Sequence, residues 1–454
     1  MTTVSPTPTP ARASTEALRT EFAPLFSRIR AGAVERERSR ELPFLVVEEL
    51  KQTGFTALRV PLEFGGRGVG LCEFAALLVD LAAADSNVAH LLRGHIAFLE
   101  RLLLRPPGDH RDQWLHRIGA GALIGNAASE RNELTEITTR LEERGGRWTV
   151  TGTKYYTTGS IYADWISLSA VRGETRHSVL VDASHHGVRV ADDWDGFGQQ
   201  LTASGGLTLT DVPVDPQDIR AFEPEDPHAG FGVGLFQVIL LLVAAGVAQS
   251  AVQDAVDYVR PRRRTFAHRG ELAPREEDVV QTVVGEVAAK AHAARLIVLG
   301  QAAALDAYAR MAADGAREGT VEAVASLAEE SAQVAREVFQ AQLVVLELVQ
   351  RATTEIFEVG GASATSTSRS LDRHWRNART IASHNPAKYR ARAVGEYLLT
   401  GEFSLWGGRG PAGTPAVQEG QEPQEAPECQ ESREAPEAQA GHIGRGDADH
   451  GRHL

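Results

Sequence analysis

Residues Gly360 to Leu399 read GGASATSTSRSLDRHWRNARTIASHNPAKYRARAVGEYLL. A glycine pair interrupts a long helical pattern, and a Ser/Thr-rich turn leads into a basic segment carrying Arg369, Arg373, Arg376 and Arg379. Ser383-His384-Asn385-Pro386 follows, then a final helix from about Ala387. Proline suits the first turn of a helix, where its missing N–H leaves nothing unpaired. His384 is therefore expected at a helix entrance rather than on a regular face. Arginines at this density suit either an anionic ligand gripped by guanidinium forks or a solvated basic helix.

Outward from this stretch the chain is helical in both directions until the period changes. FQVILLLVAAGVAQSAVQDAVDYV reads as a buried helix, and Val279–Ala313 and Thr320–Val359 as long amphipathic helices suited to a bundle core and to subunit contacts. Before them, residues 122–215 alternate in short runs with Gly-centred turns and predict a β-domain. At the N-terminal side, Leu18, Phe22, Leu25 and Ile29 recur at helical spacing after Ser14, a plausible N-cap, and Pro43 opens a second helix. Further helices are expected over Leu71–Ala84, Asn87–Leu104 and Asp109–Ile118. The expected division is 1–13 disordered, 14–121 helical, 122–215 β, 228–403 a helical bundle and 404–454 a disordered acidic tail. The fold class is α+β.

The formal charge is -13, and from Glu402 onward ten carboxylates face four arginines, so the tail carries about half of it. That balance argues against nucleic-acid binding, which needs a basic surface. No run of about 18 apolar residues predicts a membrane span. The N-terminus lacks the pattern of a signal peptide. Two cysteines, Cys72 and Cys429, form no disulfide framework or zinc spacing, which points to a reducing cytoplasm. Gly408, Gly410 and Gly413 fit a dinucleotide fingerprint by letter but follow no strand, so no nicotinamide site is expected.

WRNARTIASHNPAKYRARAVGEYLLTG resembles the C-terminal segment of flavin-dependent monooxygenases built on the acyl-CoA dehydrogenase fold, the branch that includes dibenzothiophene and dimethylsulfone-pathway sulfur monooxygenases. The resemblance extends over most of residues 15–403. It implies an N-terminal helical domain, a central β-barrel-like domain and a C-terminal four-helix bundle, assembled as a homotetramer. GTKYYTTGSIYADWI resembles the strand along the flavin ring, with Tyr156 packing on it and Thr158 and Ser160 donating hydrogen bonds; IGNAASE places Asn126 beside the ring. In SNVAHLLRGHIAFLERLL the resemblance favours His95 over His90 as the pocket histidine. YVRPRRRTFAHRG resembles a segment reaching flavin phosphate across a subunit interface, with Arg262, Arg263 and Arg264 as candidates and Phe266 as an anchor. Arg376 and His384 complete the implied cofactor contacts.

Function turns on a departure. The dehydrogenases need a carboxylate base, and the two positions aligned with theirs read Ala382-Ser383-His384-Asn385 and roughly Ile239. His384 instead matches the monooxygenase histidine. The resemblance thus implies a two-component enzyme that takes reduced FMN (FAD is the alternative) from a separate NAD(P)H-flavin reductase and reacts it with O2 through a C4a-(hydro)peroxyflavin to oxygenate a small-molecule substrate. His384, His95, Ser160 and Asn126 are the expected catalytic residues, and no metal is expected. Two alternatives stay open: an acyl-CoA dehydrogenase-type flavin oxidoreductase, and a flavin- or ligand-binding protein without turnover.

Overall fold

The computed structural model describes residues 14–405 except 132–136, 224, 265–271 and 319–320, and all of these lie in one compact unit. Residues 1–13 and the tail from 406 therefore lie outside the described residues, as does Phe266.

The N-terminal helices are α1 (Thr15–Ser39), α2 (Phe44–Gln52), α3 (Leu71–Ala84), α4 (Ser86–Leu91), α5 (Arg93–Leu103) and α6 (Asp109–Gly119). Ser14 caps α1 by accepting from the Ala17 N–H at 3.2 Å, and Leu18, Phe22, Leu25 and Ile29 are all buried on one face. The single helix expected over Asn87–Leu104 is broken at Leu92, which separates α4 from α5. That break turns the two helices' histidines toward different neighbours.

The sheet contains β1 (Ile124–Ala127), β2 (Arg140–Arg144), β3 (Arg147–Lys154), β4 (Trp165–Arg172), β5 (Thr175–Asp182), β6 (Val188–Val190), β7 (Leu207–Val214) and β8 (Ile219–Ala221), so it runs past residue 215. Its order is β6-β7-β3-β2-β4-β5-β8, with β1 pairing parallel to β4 and Asn126 opposite Ser167. Alternate residues, among them Leu141, Val150, Ile166, Leu168, Val179, Val181, Leu207 and Leu209, bury one face.

The C-terminal block comprises α7 (Ala229–Val259), α8 (Asp278–Glu318), α9 (Val321–Glu355), α10 (Asp372–His384) and α11 (Ala387–Thr400). Among the described residues α7 alone is long and apolar enough to cross a membrane. It is instead enclosed by α3, α8 and α9, the place for a helix that is apolar all round. Its N-terminal half meets α5, where Arg93 Nε donates to Phe236 O at 3.3 Å.

Candidate active site

His90 on α4 and His384 at the end of α10 meet with ring centroids 6.3 Å apart. His384 does not open a helix as its sequence context suggested; it is the last residue of α10, and Pro386 is the N-cap of α11. The reason is that Asp372–His384 is itself helical, so the proline marks the second helix start and the histidine the first helix end.

The hydrogen bonds around the pair settle both tautomers. Gln199 Nε2 donates to Ser86 Oγ at 3.0 Å, so its Oε1, 2.9 Å from His90 Nδ1, is the acceptor, and His90 carries its proton on Nδ1. His90 Nε2 is then a lone pair, and it is buried without a partner. At the other ring, Arg93 Nη1 donates to His384 Nε2 at 3.3 Å, which puts the proton of neutral His384 on Nδ1, a buried atom with no hydrogen bond of its own. Burial, then the Arg93 charge, pushes the His90 pKa down to about 4. Burial, Arg93 and His90 hold that of His384 well below its ordinary value, with the Asn385 amide acting weakly the other way.

Gln199 is placed by contacts from distant elements. Its N–H donates to Asn377 Oδ1 of α10 at 2.6 Å, and Asn87 Oδ1 of α4 accepts from the N–H two residues on, that of Leu201, at 3.1 Å. Gln199 and Ala203 adopt φ of 52° and 47°, the left-handed region that non-glycine residues enter only when surroundings impose it. A hydroxyl chain continues from this loop: Thr202 Oγ1 donates to Gln199 O at 2.7 Å, Ser204 Oγ lies 2.8 Å from Thr202 Oγ1, and Thr158 Oγ1 lies 2.7 Å from Ser204. With the first donor fixed, the chain runs Thr158 to Ser204 to Thr202, and Thr158 retains acceptor capacity.

Tyr156, Thr158 and Ser160 do not share a strand face. β3 ends at Lys154, Tyr156 adopts φ 63°, and Thr157 is pinned by its N–H and hydroxyl to Gly205 O at 3.2 and 3.0 Å. The turn is driven by close packing: Gly159, at φ +79°, brings its Cα so near α4 that a Cβ would lie 2.1 Å from Leu91 O. Tyr156 rests edge-on against Trp194, ring centroids 6.1 Å apart. Ser160 Oγ donates to Asn126 O at 3.2 Å, which ties the turn to β1. The Asn126 side chain borders a cavity, and a Cβ on Gly94 of α5 would lie 2.6 Å from its Cβ.

His95 faces elsewhere. Its Nε2 donates to Thr56 O at 2.8 Å and its Nδ1 accepts from Ile124 N at 3.2 Å, so both ring nitrogens are used by backbone. His90, rather than His95, is the histidine opposite His384. The arginines of the 360–399 stretch are largely consumed internally, because α10 lays them against acids of α1 and α7. Arg376 pairs with Glu37 at 3.1 Å and Asp372 at 2.8 Å, and Arg373 and His374 both pair with Asp254. Arg262 lies over the Tyr258 ring at 4.6 Å, with Arg369 4.5 Å from the same ring; Arg263 and Arg264 are exposed. Among the described residues no cluster of His, Cys, Asp or Glu is arranged to hold a metal.

Reading Arg93 and Gln199 as site residues required their distant partners. His90 sits in an apolar helical context much like that of His95, so no local signal set it apart.

Family models for the N-terminal, middle and C-terminal domains of acyl-CoA dehydrogenase match residues 13–122, 127–212 and 238–389 in succession. Dibenzothiophene monooxygenase of Rhodococcus qingshengii is 26% identical over 396 residues, 83% of this chain and 92% of that one. A probable FMNH2-dependent monooxygenase, SfnC of Pseudomonas putida, is 28% identical over 403 residues, 87% and 96% of the two chains. The FMN-bound structure of TdsC from Paenibacillus sp. A11-2 superposes with a TM-score of 0.74 at 25% identity, covering 84% of this chain and 96% of TdsC. The chain belongs to the acyl-CoA dehydrogenase family. Within it, it is an enzyme of the flavin-dependent monooxygenase branch.

Proposed function

We propose that the protein is the oxygenase of a two-component system, taking reduced FMN from a separate NAD(P)H-dependent flavin reductase and using O2 to oxygenate a small organic substrate at a sulfur, nitrogen or carbon centre. The observation that carries this reading is the complementary pair of unpartnered atoms, His90 Nε2 and His384 Nδ1. Buried polar atoms without partners are costly, and a site that keeps one acceptor and one donor unpaired is prepared for a reactant that supplies both. The residues fit a flavin. Thr158 retains acceptor capacity for an N–H donor, Tyr156 offers an aromatic face, and Asn126 lies between the turn and the cavity.

Reduced FMN, when bound, supplies the two electrons that activate O2. The chain's own residues handle the protons and exclude water. His384 donates from Nδ1 and His90 accepts at Nε2, while Arg93 and Gln199 hold the two rings in those tautomers. Leu91, Leu92, Ile96 and Ile239 are buried in the main hydrophobic core, the kind of apolar surrounding that keeps water out. Ile239, which the resemblance aligns roughly with a dehydrogenase carboxylate, is a buried apolar residue, and this supports oxygenation over α-proton removal. FMN is favoured over FAD because TdsC was solved with FMN.

The homotetramer belongs to the same proposal: Val279, Leu296, Val324, Val344, Leu398 and Leu399 are exposed on α8, α9 and α11, apolar surface suited to subunit contact. A cytoplasmic location is proposed from the paucity of cysteine, with Cys72 unpaired. The test is product and peroxide yield with a generic flavin reductase, together with light scattering. Oxidation of NADH by the protein alone would overturn the two-component reading, and a monomer that still binds FMN tightly would overturn the assembly.

A further inference from the structure

The cavity beside Asn126 has a volume of about 570 Å3, and α5 runs along its wall. Gly94, Phe98 and Arg101 line it in helical sequence, and Leu104 and Arg105 continue past the helix end. From Gly94 to Arg101 alone the helix rises about 10 Å, so the cavity extends well away from the Gly94–Asn126 contact. Its middle is apolar, with Phe98, Phe231, Val233 and Phe236. Its far end is basic. Arg101 and Arg105 meet Arg220, which β8 presents by pairing with Ser178 of β5.

These three guanidiniums make no ion pair or side-chain hydrogen bond among the described residues, in a protein whose other arginines are mostly paired. Acids are near, yet occupied or outnumbered. Asp218 Oδ1 already accepts from His110 Nε2 and Trp114 Nε1, each at 2.7 Å, and Asp226 Oδ1 accepts from the His228 N–H at 2.9 Å. Glu223 also lines the cavity, as do Arg176, which has a partner of its own, and His177 and His228. Arg105 is half-buried, and burial, then the charges of Arg220 and Arg101, lower its pKa to about 9. Arg105 and Arg220 also border an adjoining hollow of about 240 Å3 lined by His110 and Arg111. Like charges drawn together without ion pairs of their own are stabilised when an oxyanion arrives, and the guanidinium fork fits phosphate oxygens in pairs.

We propose that Arg101, Arg105 and Arg220 dock a phosphate group carried by the substrate, so that an apolar body lies along the cavity and the atom to be oxygenated reaches Asn126. A doubly charged phosphate monoester suits three cations better than a carboxylate does. The proposal rests on the oxygenase reading for its choice of substrate, but its test reads binding alone. Phenyl phosphate, phenol and benzoate are titrated calorimetrically into the full-length protein saturated with oxidised FMN, which fills any flavin phosphate site first. Phenyl phosphate is expected to bind at least tenfold more tightly than phenol or benzoate, with affinity falling as salt rises. Arg105→Gln and Arg220→Gln should each weaken it about tenfold and leave FMN affinity unchanged, while Arg105→Lys, which keeps charge and loses the fork, should fall between. Equal affinity for phenol and phenyl phosphate overturns the site, as does undiminished binding in both Gln variants. Arginine-dependent phosphate binding without product or peroxide from reduced FMN would instead sink the oxygenase reading and leave the docking site standing.

Discussion

His90 and His384 face one another across 6.3 Å between ring centroids, one presenting a bare lone pair and the other an N–H. One nitrogen of each ring is committed, to Gln199 and to Arg93, which leaves His90 Nε2 and His384 Nδ1 buried without a partner.

His384→Ala should keep fold and FMN binding but lose product formation by about 100-fold or more, with O2 diverted to H2O2, the scale expected when an acid–base group is removed. His90→Ala should behave alike. The double variant should be little worse than either single one, because the two act as a unit. Product and peroxide measured in one assay decide it. Near wild-type coupling in His384→Ala would remove the histidine from the mechanism.

His95→Ala should show the opposite profile. It strips partners from Thr56 O and Ile124 N, both buried, at a cost of about 3 kcal/mol in stability. Coupling per folded molecule should stay close to wild type. Urea unfolding beside the same product assay separates the two histidines. A coupling loss without a stability loss would reverse their roles.

The pKa directions predict a stability that falls on acidification. His90, His95 and His374 are lowered by burial to about 4, below the ordinary 6.5. Between those values the unfolded chain binds protons that the folded one refuses, so stability is full above pH 6.5 and declines toward pH 4, by up to about 3 kcal/mol for each histidine. Glu130 and Asp254, whose pKa values are lowered, lose their contribution only at more acidic pH. Urea midpoints at pH 7.5, 6 and 5 should fall in that order. Coupling should stay flat between pH 6 and 8, since His90 remains neutral throughout.

Lys154 and Glu130 form a buried pair at 2.7 Å, and Glu130 also accepts from the Thr138 and Thr139 N–H groups at 2.8 and 3.1 Å. The pair ties the segment after β1 to the end of β3, close behind the Tyr156 turn. Lys154→Met should leave a buried carboxylate without its cation and cost about 3 to 5 kcal/mol. Adding Glu130→Gln should recover part of that loss, which differential scanning calorimetry would register.

The order of helices and strands was legible because periodicity is a local property. Leu18, Phe22, Leu25 and Ile29 mark one face of α1, and the unbroken apolar run of α7 marks a helix with no solvent side. The resemblance carried by the 360–399 stretch selected the family and pointed to His384. Which histidine faces His384 was beyond local pattern. His90 and His95 sit in similar apolar contexts, and only the break at Leu92, the Gln199 loop and the arrival of β1 at Ile124 assign one to the site and the other to the backbone. The same holds for the arginines. Arg376 and Arg373, which looked free to bind an anion, are neutralised by Glu37 and Asp254 from remote helices, whereas Arg101, Arg105 and Arg220 line one cavity without an ion pair among the described residues. A side chain's charge and hydrogen-bonding capacity are written in the sequence, but whether they are spent depends on partners that long-range packing brings within about 3 Å.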